Sequence, residues 1–285
     1  MNNQDTNTNL KSFIPNLQSH FDFEDIFFNS TETFVHPTSV VGKNVQLQDG
    51  VKIGPYCTIV GNVKIGKNTK LFSHVSIGFP AQDVGTPKSL GSIEIGENCN
   101  IREFVSIHAS KIENDGKTII GNNCYLMAYS HCAHDVVLED NVILINNVNL
   151  AGHVHIERNA IMMSNAASHQ FCKIGKFSCV TPFSATRQDL PPFCMFTGQP
   201  TQFSGLNKVG LKRAGFSQEN IDNLKHITKL FYQDKILLDE IIKQAEENKA
   251  SWGSDATVLE FIEFIKNSKR GVSKRSISYG HDLYF

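Results

Sequence analysis

VKIGPYCTIVGNVKIGKNTKLFSHVSIG, residues 51–78, decides how this chain folds. Ile53, Ile59, Ile65, Leu71 and Ile77 recur every six residues, and Gly54, Gly66 and Gly78 directly follow every second one of them. A helix face repeats every 3.6 residues and a strand face every two, so neither explains a period of six. Short flat strands joined by tight turns do explain it. Each strand sends one large aliphatic side chain to a common axis, and a smaller residue sits near each corner. No coil can bury its apolar side alone, so stacking makes the core continuous.

The frame extends in both directions. Upstream it includes Val35, Val41 and Leu47; downstream it resumes at Ile95, Ile101 and Ile107. It then runs unbroken through Ile120, Leu126, Cys132, Leu138, Leu144, Leu150, Ile156, Met162, Ser168, Ile174 and Val180 to Thr186. Two residues before these positions lies a small or β-branched column, with Val51, Cys57, Val63, Cys99, Cys124, Val148 and Ala166 as examples. Five of the seven cysteines fall in the two columns, which reads them as small buried hydrophobes. The frame lapses at 79–92 (FPAQDVGTPKSLGS) and 109–117 (ASKIENDGK), two polar loops leaving a rigid scaffold, where binding residues concentrate.

After Arg187 the frame stops at QDLPPF (188–193), because two prolines forbid a strand interior. From Ser217 the spacing turns helical through Ile221, Leu224, Ile227 and Leu230, with Ser217 as the cap. Leu237, Ile241 and Ile242, then Val258, Phe261, Ile262 and Ile265, predict two more helices. The expected organisation is an N-terminal arm (1–33), a mainly β prism (34–190) and a C-terminal helical domain (191–285).

Composition excludes several functions. Lys and Arg number 27 against 28 Asp and Glu, so there is no basic field to attract nucleic acid. No apolar run is long enough for a transmembrane helix. MNNQDTNTNLKS at the start lacks the basic start and apolar core of a signal peptide. Seven cysteines without a CxxC pair fit a reducing cytoplasm.

The polar residues stand out against this frame in SHCAHDVV, residues 130–137. If three six-residue strands make one coil, residues 18 apart lie about 5 Å apart in neighbouring coils. His134 then stacks under Gly152, Gly152 under Gln170, and Asp135 under His153, with His131 and His169 close by. The core needs no imidazole there. Converging histidines can bind zinc. A neutral histidine oriented by an aspartate can instead act as a general base, with the Gly152 N–H as donor to an oxyanion. Polar corner residues of the stack are the third reading.

The motifs AHDV (133–136), NLAGHV (149–154), SHQFCKIG (168–175), QDLPPF (188–193) and GLKRAGFS (210–217) narrow the choice. In this order and spacing they resemble the acyl-carrier-protein-dependent UDP-N-acetylglucosamine O-acyltransferases of lipid A biosynthesis, over residues 34–268. The resemblance implies a left-handed parallel β-helix with a helical C-terminal domain, assembled as a cytoplasmic homotrimer. It implies transfer of a 3-hydroxyacyl group from acyl carrier protein to the sugar 3-hydroxyl. No metal takes part, and the acyl group rides on the carrier's phosphopantetheine.

His134 would be the base, Asp135 its orienter and Gly152 the oxyanion donor. His131, His153, His169 and Gln170 would bind sugar and acyl chain. Asp83 would contact the sugar, Asn207 and Arg213 the nucleotide and carrier side, and Pro182 would limit acyl length. The chain departs from the family pattern at Gly85 (usually lysine), Val209 (usually glutamate) and Ala214 (often basic). These changes imply an altered grip on the nucleotide sugar, with Lys88 and Lys212 as candidates to replace lost charge. Three other readings stay open: a related transferase with another nucleotide sugar or acyl donor, a metal enzyme like the carbonic anhydrases of this fold, and a non-catalytic prism subunit.

Overall fold

The structure is a computed structural model that describes residues 27, 29–85, 91–111 and 116–273. Among the described residues the six-residue period becomes a three-sided column, its sides sheets of ten, eight and seven strands, parallel except for the last pair of the ten. Most strands are two residues long, and each pairs with one 18 residues away, as in Lys52↔Lys70, His131↔Asn149 and Val137↔His155. Ile53, Ile59, Ile65, Leu71 and Ile77 are each 0% exposed, as are Cys132, Leu138, Leu144 and Leu150. Burying one such side chain contributes about 1.5–3 kcal/mol. All seven cysteines are buried free thiols, the two outside the columns included.

Most turns between strands carry one residue with positive φ, which most side chains resist and Asn, Asp and His tolerate better. The first corner is accordingly an asparagine ladder: Asn68, Asn98, Asn123, Asn141 and Asn159 have φ between 55° and 61°. A second corner carries Tyr56, His74, Phe104, Tyr129, Asn147, Asn165 and Phe183, also at positive φ. Its first four rings stack at centroid spacings of 5.1, 4.8 and 4.8 Å. The third corner holds Asp135, His153 and Phe171, at φ 60°, 60° and 64°.

Both sequence lapses leave from the third corner. The 18-residue register lengthens to 30 between Ser76 and Ser106, and to 25 between Ser106 and His131. The loops therefore emerge in the two coils just below Asp135, on the corner that carries it.

The expectation that the frame ends at QDLPPF is corrected. Leu190 bridges Ile174 in parallel, and Cys194–Thr197 pairs in parallel with Cys179–Val180 through Met195↔Cys179. The last coil is 16 residues long. Pro191 and Pro192 sit between the bridge and the positive-φ corner at Phe193, so neither removes a ladder hydrogen bond. The chain then folds back as Gln202–Leu206, antiparallel to Cys194–Thr197.

The helices begin where capping residues permit. Ser217 and Asn220 form a reciprocal capping box for Gln218–Tyr232, and Asp255 caps Ala256–Lys266. Leu238–Glu247 lies between them, and a short helix, Lys208–Arg213, precedes them unforeseen by the spacing argument. Lys173 over Phe264 (5.2 Å) and Phe216 against Phe177 (5.0 Å) attach this layer to the prism. The arm expected over 1–33 lies mostly outside the described residues; Phe27 is buried edge-on against Phe72 at 5.3 Å.

Candidate active site

The third corner builds the site. His134 precedes the corner and Asp135 occupies it, and their adjacent side chains meet. Nδ1 of His134 lies 2.8 Å from Oδ2 of Asp135. A carboxylate only accepts, so Nδ1 carries the proton, and in the neutral tautomer this leaves the lone pair on Nε2. Asp135 is 5% exposed in its side chain and fully engaged. Its Oδ1 accepts from the Ser110 hydroxyl, and its Oδ2 also accepts the Lys111 backbone N–H at 3.1 Å. Its own N–H donates to Thr118 Oγ1 at 2.9 Å. Burial alone would raise the Asp135 pKa; the bonds from Ser110, His134 and the Lys111 amide overcome it and hold the carboxyl below its ordinary range.

Gly152 lies in the next coil, directly over the imidazole. A Cβ there would fall 2.5 Å from Cε1 and 2.6 Å from Nε2 of His134, so only glycine leaves room for the ring. Its carbonyl accepts from Phe171 N at 3.1 Å, while its buried N–H meets no acceptor among the described residues. His153 follows, edge-on to His134 at 5.1 Å and stacked on Phe171 at 4.5 Å. Burial lowers its pKa; His134 and Lys111 add to that and Asp135 opposes it. Among the described residues His134, Asp135 and His153 bring three ligand atoms within 4.8 Å of one another, close enough for a metal ion. Of the possible ligand atoms, His134 Nδ1 and Asp135 Oδ2 are already engaged with each other.

The two loops complete the wall. Asp83 accepts the Gly85 N–H at 3.0 Å and pairs with the Lys111 ammonium. The Lys111 bond foremost, and the Gly85 amide, hold the Asp83 carboxyl below its usual range. His131 stands in the coil below, Nδ1 2.8 Å from Ser106 Oγ and the ring edge-on to His108 at 5.1 Å. Burial, with His108 beside it, pushes the His131 pKa down to about 4. Nδ1 of His108 is buried without a hydrogen-bond partner among the described residues.

The expected residues therefore divide. His134, Asp135, Gly152, His153 and Asp83 form one site, with His131 one coil below. His169 lies further up, its Nδ1 3.4 Å from Arg270 Nη2, and Gln170 is exposed. Pro182 belongs to the second corner, beside exposed Phe183. Arg213 ends the short helix. Asn207 is buried, and its side chain caps that helix by accepting from Gly210 N at 3.0 Å and donating to Phe177 O at 2.9 Å. Its polar atoms hold the fold together. Lys88 lies outside the described residues, and Lys212 sits in the last turn of the same helix. Sequence reasoning missed Ser110, Lys111, Thr118 and His108. One signal was available: both lapses interrupt the frame at the same phase, which places both loops on one corner.

A parallel column with a histidine–aspartate pair beneath a glycine amide defines a hexapeptide-repeat transferase. The comparisons agree: residues 44–78 match the bacterial transferase hexapeptide family, and residues 189–273 match UDP N-acetylglucosamine O-acyltransferase, domain 2. The acyl-[acyl-carrier-protein]–UDP-N-acetylglucosamine O-acyltransferase of Thermodesulfovibrio yellowstonii is 38% identical over 258 residues, 84% of this chain and 99% of the relative. That of Sinorhizobium fredii is 41% identical over 249 residues, 81% of this chain and 91% of the relative. The UDP-N-acetylglucosamine acyltransferase structure from Francisella novicida superposes with a TM-score of 0.76 at 31% identity, covering 87% of this chain and all of that one. The Acinetobacter baumannii structure gives 0.77 at 31% identity, covering 84% and 99%. The chain belongs to the acyl-[acyl-carrier-protein]–UDP-N-acetylglucosamine O-acyltransferase family, and its fold is the left-handed parallel β-helix.

Proposed function

We propose that this enzyme moves a 3-hydroxyacyl group from acyl carrier protein to the 3-hydroxyl of UDP-N-acetylglucosamine, with His134 as general base. The observation that carries the reading is the His134–Asp135 pair at 2.8 Å, packed under Gly152. Nε2 of His134 removes the proton of the sugar hydroxyl, and the oxygen attacks the thioester carbonyl. The Gly152 N–H donates to the oxyanion that forms. Collapse expels the carrier's phosphopantetheine thiolate, which takes the proton back from Nε2, so His134 ends neutral. Asp135 keeps the ring in the reactive tautomer and stabilises the imidazolium. No metal has a part in this reading.

Two further elements belong to the proposal. Pro182 and Arg213 lie away from the His134 corner, which supports an assembly, a homotrimer, in which a neighbouring copy presents them. Pro182 at its exposed corner then limits acyl length. Seven unpaired thiols support a reducing, cytoplasmic setting, and no helix of the described residues is long and apolar enough to cross a membrane.

The test is acyl transfer from acyl carrier protein to UDP-N-acetylglucosamine by the wild type and by His134→Ala. Loss of a general base is expected to slow turnover by about 10²–10⁴-fold. A loss under about tenfold would remove His134 from that role, and stoichiometric zinc in the purified active enzyme would overturn the metal-free reading.

A further inference from the structure

The two loops that leave the third corner meet across its mouth. The first brings Asp83 and the second Lys111, and the ammonium of Lys111 pairs with the carboxylate of Asp83. The two ends of Lys111 do separate work. Its backbone N–H donates to Asp135 Oδ2 at 3.1 Å and so belongs to the His134–Asp135 pair. Its side chain, 31% exposed, reaches out to the Asp83 loop.

Position 85 gives this contact its meaning. A Cβ built on Gly85 would have Lys111 Nζ at 3.6 Å and Asp83 Oδ1 at 3.9 Å as its nearest neighbours, which is ordinary contact distance. Gly85 is not among the glycines with positive φ, so a side chain there meets neither a clash nor backbone strain. Its side chain would point at the place the Lys111 ammonium already fills. This is also the position at which the family pattern leads one to expect a lysine.

The charge balance points the same way. The groups at the corner are the carboxylates of Asp83 and Asp135 and the imidazoles of His134 and His153, with Lys111 as the permanent cation beside them among the described residues. A nucleotide sugar brings a diphosphate and several hydroxyls to a site whose other fixed charges, among the described residues, are acidic.

We infer that Lys111 is a substrate-positioning residue of this enzyme, supplying from the second loop the ammonium that holds the nucleotide sugar and orients Asp83. This rests on the reading that the substrate is UDP-N-acetylglucosamine. The side chain acts on binding; the main-chain amide, which a substitution leaves in place, serves the base.

The experiment combines calorimetric binding of UDP-N-acetylglucosamine with steady-state kinetics of acyl transfer. Lys111→Met is expected to raise Kd and KM for the nucleotide sugar by about 10- to 100-fold, the cost of one charge-assisted hydrogen bond. Turnover at saturating sugar should stay within about threefold, since the removed interaction is one of uniform binding. Adding Gly85→Lys to Lys111→Met should return Kd and KM most of the way to wild type, because the new ammonium reaches the same place. Unchanged Kd in Lys111→Met overturns the inference, as does a fall in turnover with KM unmoved, which would make Lys111 only a support for Asp135. Failure of Gly85→Lys to restore binding also overturns it. If the wild type neither binds nor acylates UDP-N-acetylglucosamine, the substrate reading falls and this inference with it; the wild-type measurement keeps the two failures apart.

Discussion

Asp135 has to satisfy the backbone and the chemistry at once. At φ 60° it stands where most residues are strained, and aspartate is among the few that tolerate that conformation. The same side chain carries the charge that fixes the tautomer of His134. Gly152 is constrained differently, by proximity: its missing Cβ is the space the imidazole occupies. Gly152→Ala is therefore expected to push the ring off its aspartate and to slow turnover by an amount approaching the roughly 10²–10⁴-fold cost of losing the proposed base itself. The atoms an added methyl meets are the far end of a side chain, not backbone, so the thermal midpoint should move little. Turnover and a melting curve on one preparation check both halves, and wild-type turnover from Gly152→Ala would refute the close packing.

At the scale of the strand and the coil, the buried imidazoles make stability sensitive to acid. His131 is pushed down to about 4 from an ordinary 6.5, so between those values the unfolded chain takes up a proton that the native coil refuses. Stability therefore falls as pH falls through that window, by up to ~1.4 kcal/mol per pH unit for one group. His108 and His153 shift in the same direction and steepen the loss. Asp135 adds its own loss at lower pH, as its depressed carboxyl begins to protonate. Urea unfolding from pH 7 to pH 4.5 should show a shallower decline for His131→Asn than for the wild type. Equal slopes would mean that the ring opens to water.

This scale also shows how far the sequence could be read. The axis residues repeat because every coil presents the same inside, so Ile53 through Thr186 announce the column and its stacking of His134 under Gly152. The last coil gave no such sign: its 16-residue register rests on where Leu190 and Phe193 happen to pack, and a proline pair hid it. Ser110 and Lys111 were invisible for a related reason. They lie where the period lapses, and nothing in a lapse records where the loop folds back. The cap made by Asn207 was hidden too, because an asparagine that caps a helix and one that binds a ligand look alike in one dimension.

For the whole molecule, the distribution of the expected residues between corners matters most. His134, Asp135 and Gly152 occupy the third corner, whereas Pro182 sits on the second and Arg213 on the helical layer. The proposed assembly, in which a neighbouring copy completes a site that needs both sets, predicts complementation. His134→Ala and Arg213→Ala proteins, each impaired alone, should regain activity when unfolded together and reassembled. Some mixed assemblies then contain one intact pair of surfaces. Activity no higher than that of separately refolded controls would place the whole site within one chain.

The exit of both loops from one corner has a consequence for how such a protein can change. Along the column, chain length is quantised: adding one residue to a strand would turn every later side chain out of phase. At the third corner that rule is suspended, because residues enter and leave the coil there without disturbing the axis. Variation in length and composition can accumulate at that opening while the His134–Asp135 pair stays in register one coil above. The molecule thus joins an invariant ruler to an editable margin, and Lys111 is written in the margin.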